Sequence, residues 1–208
     1  LTKINLNASV IIITGPTATG KTSLAVQLAK QYFGEIVSAD SRQVFRRMDI
    51  GTGKDLNEYD LVPYHLIDIL EPSAEFSVSD FQKLAIKDIN NIIARKKLPI
   101  VCGGTGHYIK ALIENYQFMA PKTDLKSTNQ LEKKDRMFLY QKIKDLGLWE
   151  DHHWEKDSKR RMVRAIEKAL LDPNENSLLP PIAFKYTVFY THLERKIIRD
   201  RIKVRLDQ

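Results

Sequence analysis

One cysteine among 208 residues, Cys102, leaves no partner for an internal disulfide and no thiolate cluster to hold zinc. Set inside an apolar run, it reads as a small buried strand residue. Long apolar runs are missing too: none approaches the roughly 18 residues of a membrane-spanning helix. The opening LTKINLNASVIIITG enters a strand-like run at once and carries no secretory signal. No membrane partner is expected, and a cytoplasmic location is the default expectation. His152, His153 and His192 have no acidic partners at ligand spacing, so no histidine metal site is expected. Internal repeats and low-complexity tracts are also absent. Hydrophobic content of 43% with 28% charged residues excludes wholesale disorder. The length suits one domain, or a domain carrying a smaller insertion.

Charge is unevenly spread. Residues 1–119 hold 13 Lys and Arg against 12 Asp and Glu, a net +1, while residues 120–208 hold 20 against 14, a net +6. The C-terminal part is therefore expected to face a polyanion, the alternative being a solvated helical surface. The last residues, LERKIIRDRIKVRLDQ, form an amphipathic helix with no Gly or Pro stop, and the first residue is not Met. The sequence reads as part of a longer protein.

SVIIITG is a continuous apolar, β-branched run, the pattern of a buried parallel strand. KTSLAVQLAKQYF then places Leu24, Ala25, Leu28 and Ala29 at helical period. GEIVSAD, YHLIDI and LPIVCGG read as further strands, and HYIKALIEN as a helix. Between the last two strands, Ser77 and Asp80 form a capping-box-like pair ahead of a helix with Phe81, Leu84, Ile89 and Ile92 on one face. This alternation predicts an α/β fold with a doubly wound parallel sheet. From about residue 120 the pattern changes. NQLEKKDRMFLYQKIKDLG and SKRRMVRAIEKALL are charged amphipathic helices, DPNENSLLPP a loop, and KYTVFYTHL a strand rejoining the sheet. The expected organisation is an α/β core over 1–119, a basic helical insertion over 120–182, and a return to the core over 183–208.

The segment Gly15-Pro16-Thr17-Ala18-Thr19-Gly20-Lys21-Thr22 fits G-x-x-x-x-G-K-[ST] between a strand and a helix, the setting a P-loop requires. Its backbone N–H groups can converge on phosphate oxygens at a helix N-terminus. Lys21 adds a full charge, and the Thr22 hydroxyl can ligand Mg²⁺. A cradle of this kind recognises a diphosphate without specifying what it is attached to.

Asp40 ends the second strand at the carboxyl edge of the sheet, where open α/β sheets bind ligands. It could hold Mg²⁺, cap a helix, or act as a base. Ser41, Arg42 and Gln43 follow, and a Gln is suited to an adenine edge. A second glycine turn, Gly103-Gly104-Thr105-Gly106, brings another hydroxyl to the same edge.

GPTATGKT, ADSRQVFRRMDIGTGK, VPYHLIDI, GGTGHYIKAL, DSKRRMVRAIE and the final ERKIIRDRIKVR, in that order, resemble the tRNA dimethylallyltransferases. The adenylate isopentenyltransferases share the cradle but differ after the second strand. The resemblance implies a P-loop fold and transfer of a dimethylallyl group from dimethylallyl diphosphate to N6 of an adenosine beside the anticodon. It implies Asp40 as general base, with Lys21, Thr22 with Mg²⁺, and Arg195 neutralising the departing pyrophosphate. Without the resemblance Arg195 reads as a surface helix residue. Thr105 matches the family's threonine near the target nucleotide. Arg160, Arg161 and Arg164 match its tRNA-contacting segment, and spacing puts Arg160 and Arg164 on one helical face. The expected partners are the tRNA anticodon stem-loop and dimethylallyl diphosphate, with the protein acting as a monomer. Gly53, Tyr64 and His107 stand where the family often has Ala, His and Leu. Two other readings share the cradle: a small-molecule P-loop kinase, and an RNA-binding P-loop protein without catalysis.

Overall fold

The structure, a computed structural model, describes residues 9–54, 56–116, 130–149, 154, 157–170 and 184–206. Five strands form one wholly parallel sheet: β1 (Ser9–Thr14), β2 (Gly34–Ser38), β3 (Tyr64–His65), β4 (Leu98–Gly103) and β5 (Lys185–Tyr190), in the order β3-β2-β4-β1-β5. Insertion of β4 between β1 and β2 sets Thr14 opposite Gly103, so the two glycine-bearing turns leave neighbouring strand ends.

Strand alternation divides the core into two layers. Val10 and Ile12 of β1, with Val37 and Val101, pack under α2 (Val78–Ala94) and α3 (Gly106–Ile113) through Phe81, Ile89, Ile92 and Leu112. Ile11 and Ile13, with Ile36 and Ile100, face α1 (Lys21–Tyr32) through Ala25, Val26 and Ala29. Helices cover both faces, which is the doubly wound arrangement the sequence predicts. At the start of α2, Asp80 N–H donates to Ser77 Oγ at 3.2 Å and Ser77 N–H to Asp80 Oδ2 at 2.9 Å, a full capping box. At the end of α1, Phe33 turns left-handed at φ 54° and gives its N–H to Ala29 O. Gly34 follows because a Cβ there would lie 2.7 Å from Leu98 O.

The third strand is shorter than its sequence suggests. YHLIDI pairs with β2 only at Tyr64 and His65, because Leu66 and Asp68 take positive φ of 62° and 54°. The segment after that turn joins residues 43–46 instead: Asp68 N–H donates to Gln43 O, Ile69 N–H to Val44 O and Arg46 N–H to Leu70 O, at 2.7–3.0 Å.

The chain divides into two compact units, Leu1–Tyr116 with Pro181–Gln208, and Gln117–Pro180. In the second, α4 (Arg136–Asp145) packs Leu139 and Ile143 against Met162, Val163 and Ile166 of α5 (Lys159–Leu170). The first of its two expected helices is interrupted: residues 130–133 are helical, and Asp135 then caps a new helix by accepting from Phe138 N–H at 2.8 Å. The DPNENSLLPP loop lies outside the described residues, as do His152 and His153. In the first unit the chain ends its described part in α6 (Arg195–Leu206).

Candidate active site

The loop after β1 is shaped by close contact with the residue that follows β5. Thr191 N–H donates to Thr14 O at 2.8 Å, and its hydroxyl meets Thr19 Oγ1 at 2.7 Å. A Cβ on Gly15 would lie 2.4 Å from Thr191 O, so only glycine fits. Thr19 Oγ1 also donates to Pro16 O at 2.8 Å. Gly20 caps α1 at φ 85°, and Leu24 N–H closes the first helical turn on Gly20 O at 3.1 Å. Lys21 turns its ammonium back to the Pro16 carbonyl. Gly104, beyond β4, is close enough that a Cβ would sit 4.0 Å from Lys21 Nζ.

The opposite wall begins where β2 ends. Ala39 N–H donates to Cys102 O at 2.8 Å, and Thr105 N–H to Ala39 O at 3.2 Å. A Cβ on Gly103 would meet the Ala39 carbonyl at 2.3 Å, so a glycine is required here for the two strand ends to touch. Ser41 N–H donates to Thr105 Oγ1 at 3.0 Å, and Arg42 N–H to Asp40 Oδ1 at 2.8 Å. The second bond is an Asx turn that fixes the half-buried Asp40 carboxylate.

Between these walls lies a cavity of about 340 Å³. Thr17, Ala18, Gly20, Lys21 and Thr22 line it from the cradle, and Asp40, Gln43, Thr52, Gly53, Glu58 and Tyr59 from the other side, with Cys102, Gly103 and Gly104 at the β4 end. Arg201 of α6 reaches the cradle and donates to Ala18 O at 3.2 Å. Burial pushes the Cys102 thiol up to about 12, with Glu58 and Asp40 adding to that and Lys21 opposing it. Cys102 therefore stays a protonated wall residue with no nucleophilic role. Burial likewise raises the Tyr59 phenol, which stays neutral and stacks obliquely on Tyr64 at 4.9 Å between centroids.

Seven of the seventeen site residues expected from sequence line this cavity: Thr17, Ala18, Gly20, Lys21, Thr22, Asp40 and Gln43. Gly15, Pro16 and Thr19 form the loop behind it; Ser41 and Thr105 join through their hydrogen bond without lining it, and Arg42 is exposed. Gln43 lines the cavity with both amide atoms engaged. Its oxygen accepts from Ser38 Oγ at 2.9 Å and its nitrogen donates to Gly53 O at 3.2 Å, which braces this wall and leaves the second amide N–H of Gln43 outside those bonds. Arg195 is exposed at the first residue of α6 and does not line the cavity; Arg201, on the same helix, does. Arg160 and Arg164 are exposed on α5 in the other unit, and Arg161 pairs with the buried Asp157 at 2.8 Å. Thr52, Glu58 and Tyr59 carry no signal in the sequence, and Gly53 stands out there only as a departure from the family's usual Ala, because irregular turns and a short 3₁₀ segment (Leu56–Tyr59) deliver them without periodicity.

Among the described residues, no group of three His, Cys, Asp or Glu side chains could hold a metal ion. The Thr22 hydroxyl and the Asp40 carboxylate are nonetheless hard oxygen donors on one cavity wall or the other. One or two protein oxygens beside substrate phosphates suit Mg²⁺, which keeps most of its shell for phosphate and water.

A glycine-rich strand-to-helix loop carrying Lys21 and an oriented carboxylate share one cavity at the carboxyl edge of a parallel sheet, the edge at which α/β proteins of this class bind ligands. A family model described as IPP transferase matches residues 43–208, and the chain belongs to that family, the tRNA dimethylallyltransferases. It is 45% identical to tRNA dimethylallyltransferase 2 of Trichlorobacter lovleyi over 99% of this chain and 68% of that protein. It is 41% identical to tRNA dimethylallyltransferase 1 of Geotalea daltonii over 96% of this chain and 66% of that one. The chain thus spans about two thirds of the length of these curated relatives. Among solved structures it is similar to the tRNA isopentenylpyrophosphate transferase of Bacillus halodurans, with 37% identity and a TM-score of 0.64 over 97% of this chain and 65% of that chain. A eukaryotic dimethylallyltransferase acting on tRNA matches at 27% identity and a TM-score of 0.74, over 96% of this chain and 53% of that chain. No described helix is long and apolar enough to cross a membrane.

Proposed function

We propose that the protein transfers the dimethylallyl group of dimethylallyl diphosphate to N6 of an adenosine next to the anticodon of tRNA, as a monomer in the cytoplasm. The observation that carries this reading is the shared cavity of Lys21 and Asp40. On this reading Lys21 supplies the charge that binds the diphosphate and Asp40 the proton acceptor.

The diphosphate seats on the loop N–H groups, and Lys21 exchanges the Pro16 carbonyl for phosphate oxygen. Thr22 and the diphosphate oxygens would hold Mg²⁺, which supplies positive charge against the leaving group. Adenine presents N6 to Asp40. The N6 lone pair forms a bond to C1 of the prenyl group, the C1–O bond breaks with its pair leaving on pyrophosphate, and Asp40 takes the N6 proton. A positioned base is typically worth ~10²–10⁴-fold for such a weak nucleophile. Lys21 and Arg201 face the oxygen on which charge accumulates. Thr105 holds the Ser41 N–H and so steadies the segment that carries Asp40. The exposed Arg160 and Arg164 contact tRNA phosphates, with Arg161 braced by Asp157, while the target base is turned out of its stack to reach the core.

Incubating the full-length protein with unmodified tRNA and labelled dimethylallyl diphosphate tests this. Label on adenosine N6 is the expected result. Phosphoryl transfer from ATP to a small acceptor would favour a kinase, and RNA binding without transfer a non-catalytic role.

A further inference from the structure

Among the described residues Lys54 is the one buried lysine; its side chain is wholly removed from solvent, and its ammonium makes three bonds. It donates to Phe45 O at 2.8 Å, Asp49 Oδ1 at 2.9 Å and Asp68 Oδ1 at 2.6 Å. All three N–H donors are used. Burial alone would favour loss of the proton, but the two carboxylates outweigh it and the lysine stays charged. Buried ion pairs stabilise a fold little more than well-packed apolar residues do, so what such a group contributes is a fixed geometry.

The fixed geometry lies next to the cavity. Thr52 and Gly53, immediately before Lys54, line its wall. Gly53 takes φ 67° and accepts Gln43 Nε2 at 3.2 Å; Gln43 in turn accepts from Ser38, two residues before Asp40. Asp68 anchors the other end, held at φ 54° with its N–H on Gln43 O at 3.0 Å. Ser38, Gln43, Gly53, Lys54 and Asp68 thus form one continuous set of bonds along the wall that faces the cradle. We propose that Lys54 is a positioning residue for prenyl transfer: it locks the 49–54 turn so that Thr52, Gly53 and Gln43 hold the acceptor base in line between Asp40 and the prenyl carbon. The assignment rests on the function proposed above.

Three measurements on the full-length K54M and D68N variants decide it: thermal unfolding, affinity for Mg²⁺-pyrophosphate, and the single-turnover rate of prenyl transfer to tRNA. Met keeps the volume of Lys54 without its charge, and Asn at position 68 keeps an acceptor oxygen for Lys54 but removes the opposing carboxylate charge. Pyrophosphate affinity should stay within about twofold of wild type, since the cradle is untouched. The transfer step should fall ~10–10²-fold in K54M, the scale of an approach misplaced by an ångström, and by less in D68N. A clamp serving stability alone would instead lower the melting temperature and leave the rate of the folded protein unchanged. That result in either variant overturns the proposal, as does a rate loss matched by lost pyrophosphate affinity. If K54M does not fold, D68N alone decides. A wild type that prenylates tRNA beside unimpaired variants contradicts the Lys54 assignment only. A wild type that transfers nothing contradicts the function and this inference with it.

Discussion

Arg201 donates to the Ala18 carbonyl at 3.2 Å, joining two residues 183 positions apart in the chain. The bond brings a guanidinium from α6 onto the phosphate cradle, while Arg195, six residues earlier, stays exposed at the helix start. Arg201→Ala should therefore lower the single-turnover rate by ~10²–10³-fold, the cost of removing one donor from developing negative charge. Arg195→Ala should leave the rate within about threefold, as for a surface substitution. Rates for both variants at saturating diphosphate check the assignment, and a larger loss in Arg195→Ala would reverse it.

Glu35 lies at the start of β2 with its carboxylate almost wholly buried, bonded to Arg95 Nη2 at 2.8 Å, Lys97 at 2.8 Å and His65 Nε2 at 2.7 Å. Burial opposes its ionisation, but these partners prevail and hold it down at about 2 against an ordinary 4.5. A depressed folded value means the unfolded chain binds the proton first. The stabilisation is therefore complete above about 4.5 and is lost as pH falls toward about 2, on the order of 3 kcal/mol across the window. Urea unfolding at several pH values should show this slope in wild type, and Glu35→Gln should flatten it.

The cradle was legible because its residues are adjacent in the chain and act through backbone conformation; eight consecutive residues fix both loop and helix start. The core helices were legible for a similar reason, as in the Ser77–Asp80 cap and the buried stripe of Phe81, Ile89 and Ile92. The cavity's far wall was legible only at Asp40 and Gln43. Thr52, Gly53 and Tyr59 arrive there on positive-φ turns and a 3₁₀ segment, and Lys54 looks in sequence like any surface charge until Asp49 and Asp68 close on it. That Arg201 and not Arg195 lines the cavity likewise needs the orientation of α6, which one amphipathic stretch does not supply.

Arg160 and Arg164 project from α5 away from the Met162, Val163 and Ile166 that pack the unit. Phosphate contacts release counterions, so tRNA affinity should fall steeply with salt, and reversing both residues to Glu should lower that log–log slope by about two while raising Kd. Filter binding across a salt series measures it. A slope unchanged by the substitutions would make this face a solvated surface.

Asp40 carries the central claim, and Asp40→Asn separates a base from a metal ligand. The substitution keeps the shape and the acceptor oxygen that receives the Arg42 N–H. Single-turnover rates of prenyl transfer by the full-length variant, taken across a Mg²⁺ titration, are the measurement. If Asp40 accepts the N6 proton, the rate falls by ~10²-fold or more at every Mg²⁺ concentration, with diphosphate binding nearly intact. Recovery of the rate as Mg²⁺ is raised, with weakened diphosphate binding at low Mg²⁺, would contradict the account and make Asp40 a ligand of the ion.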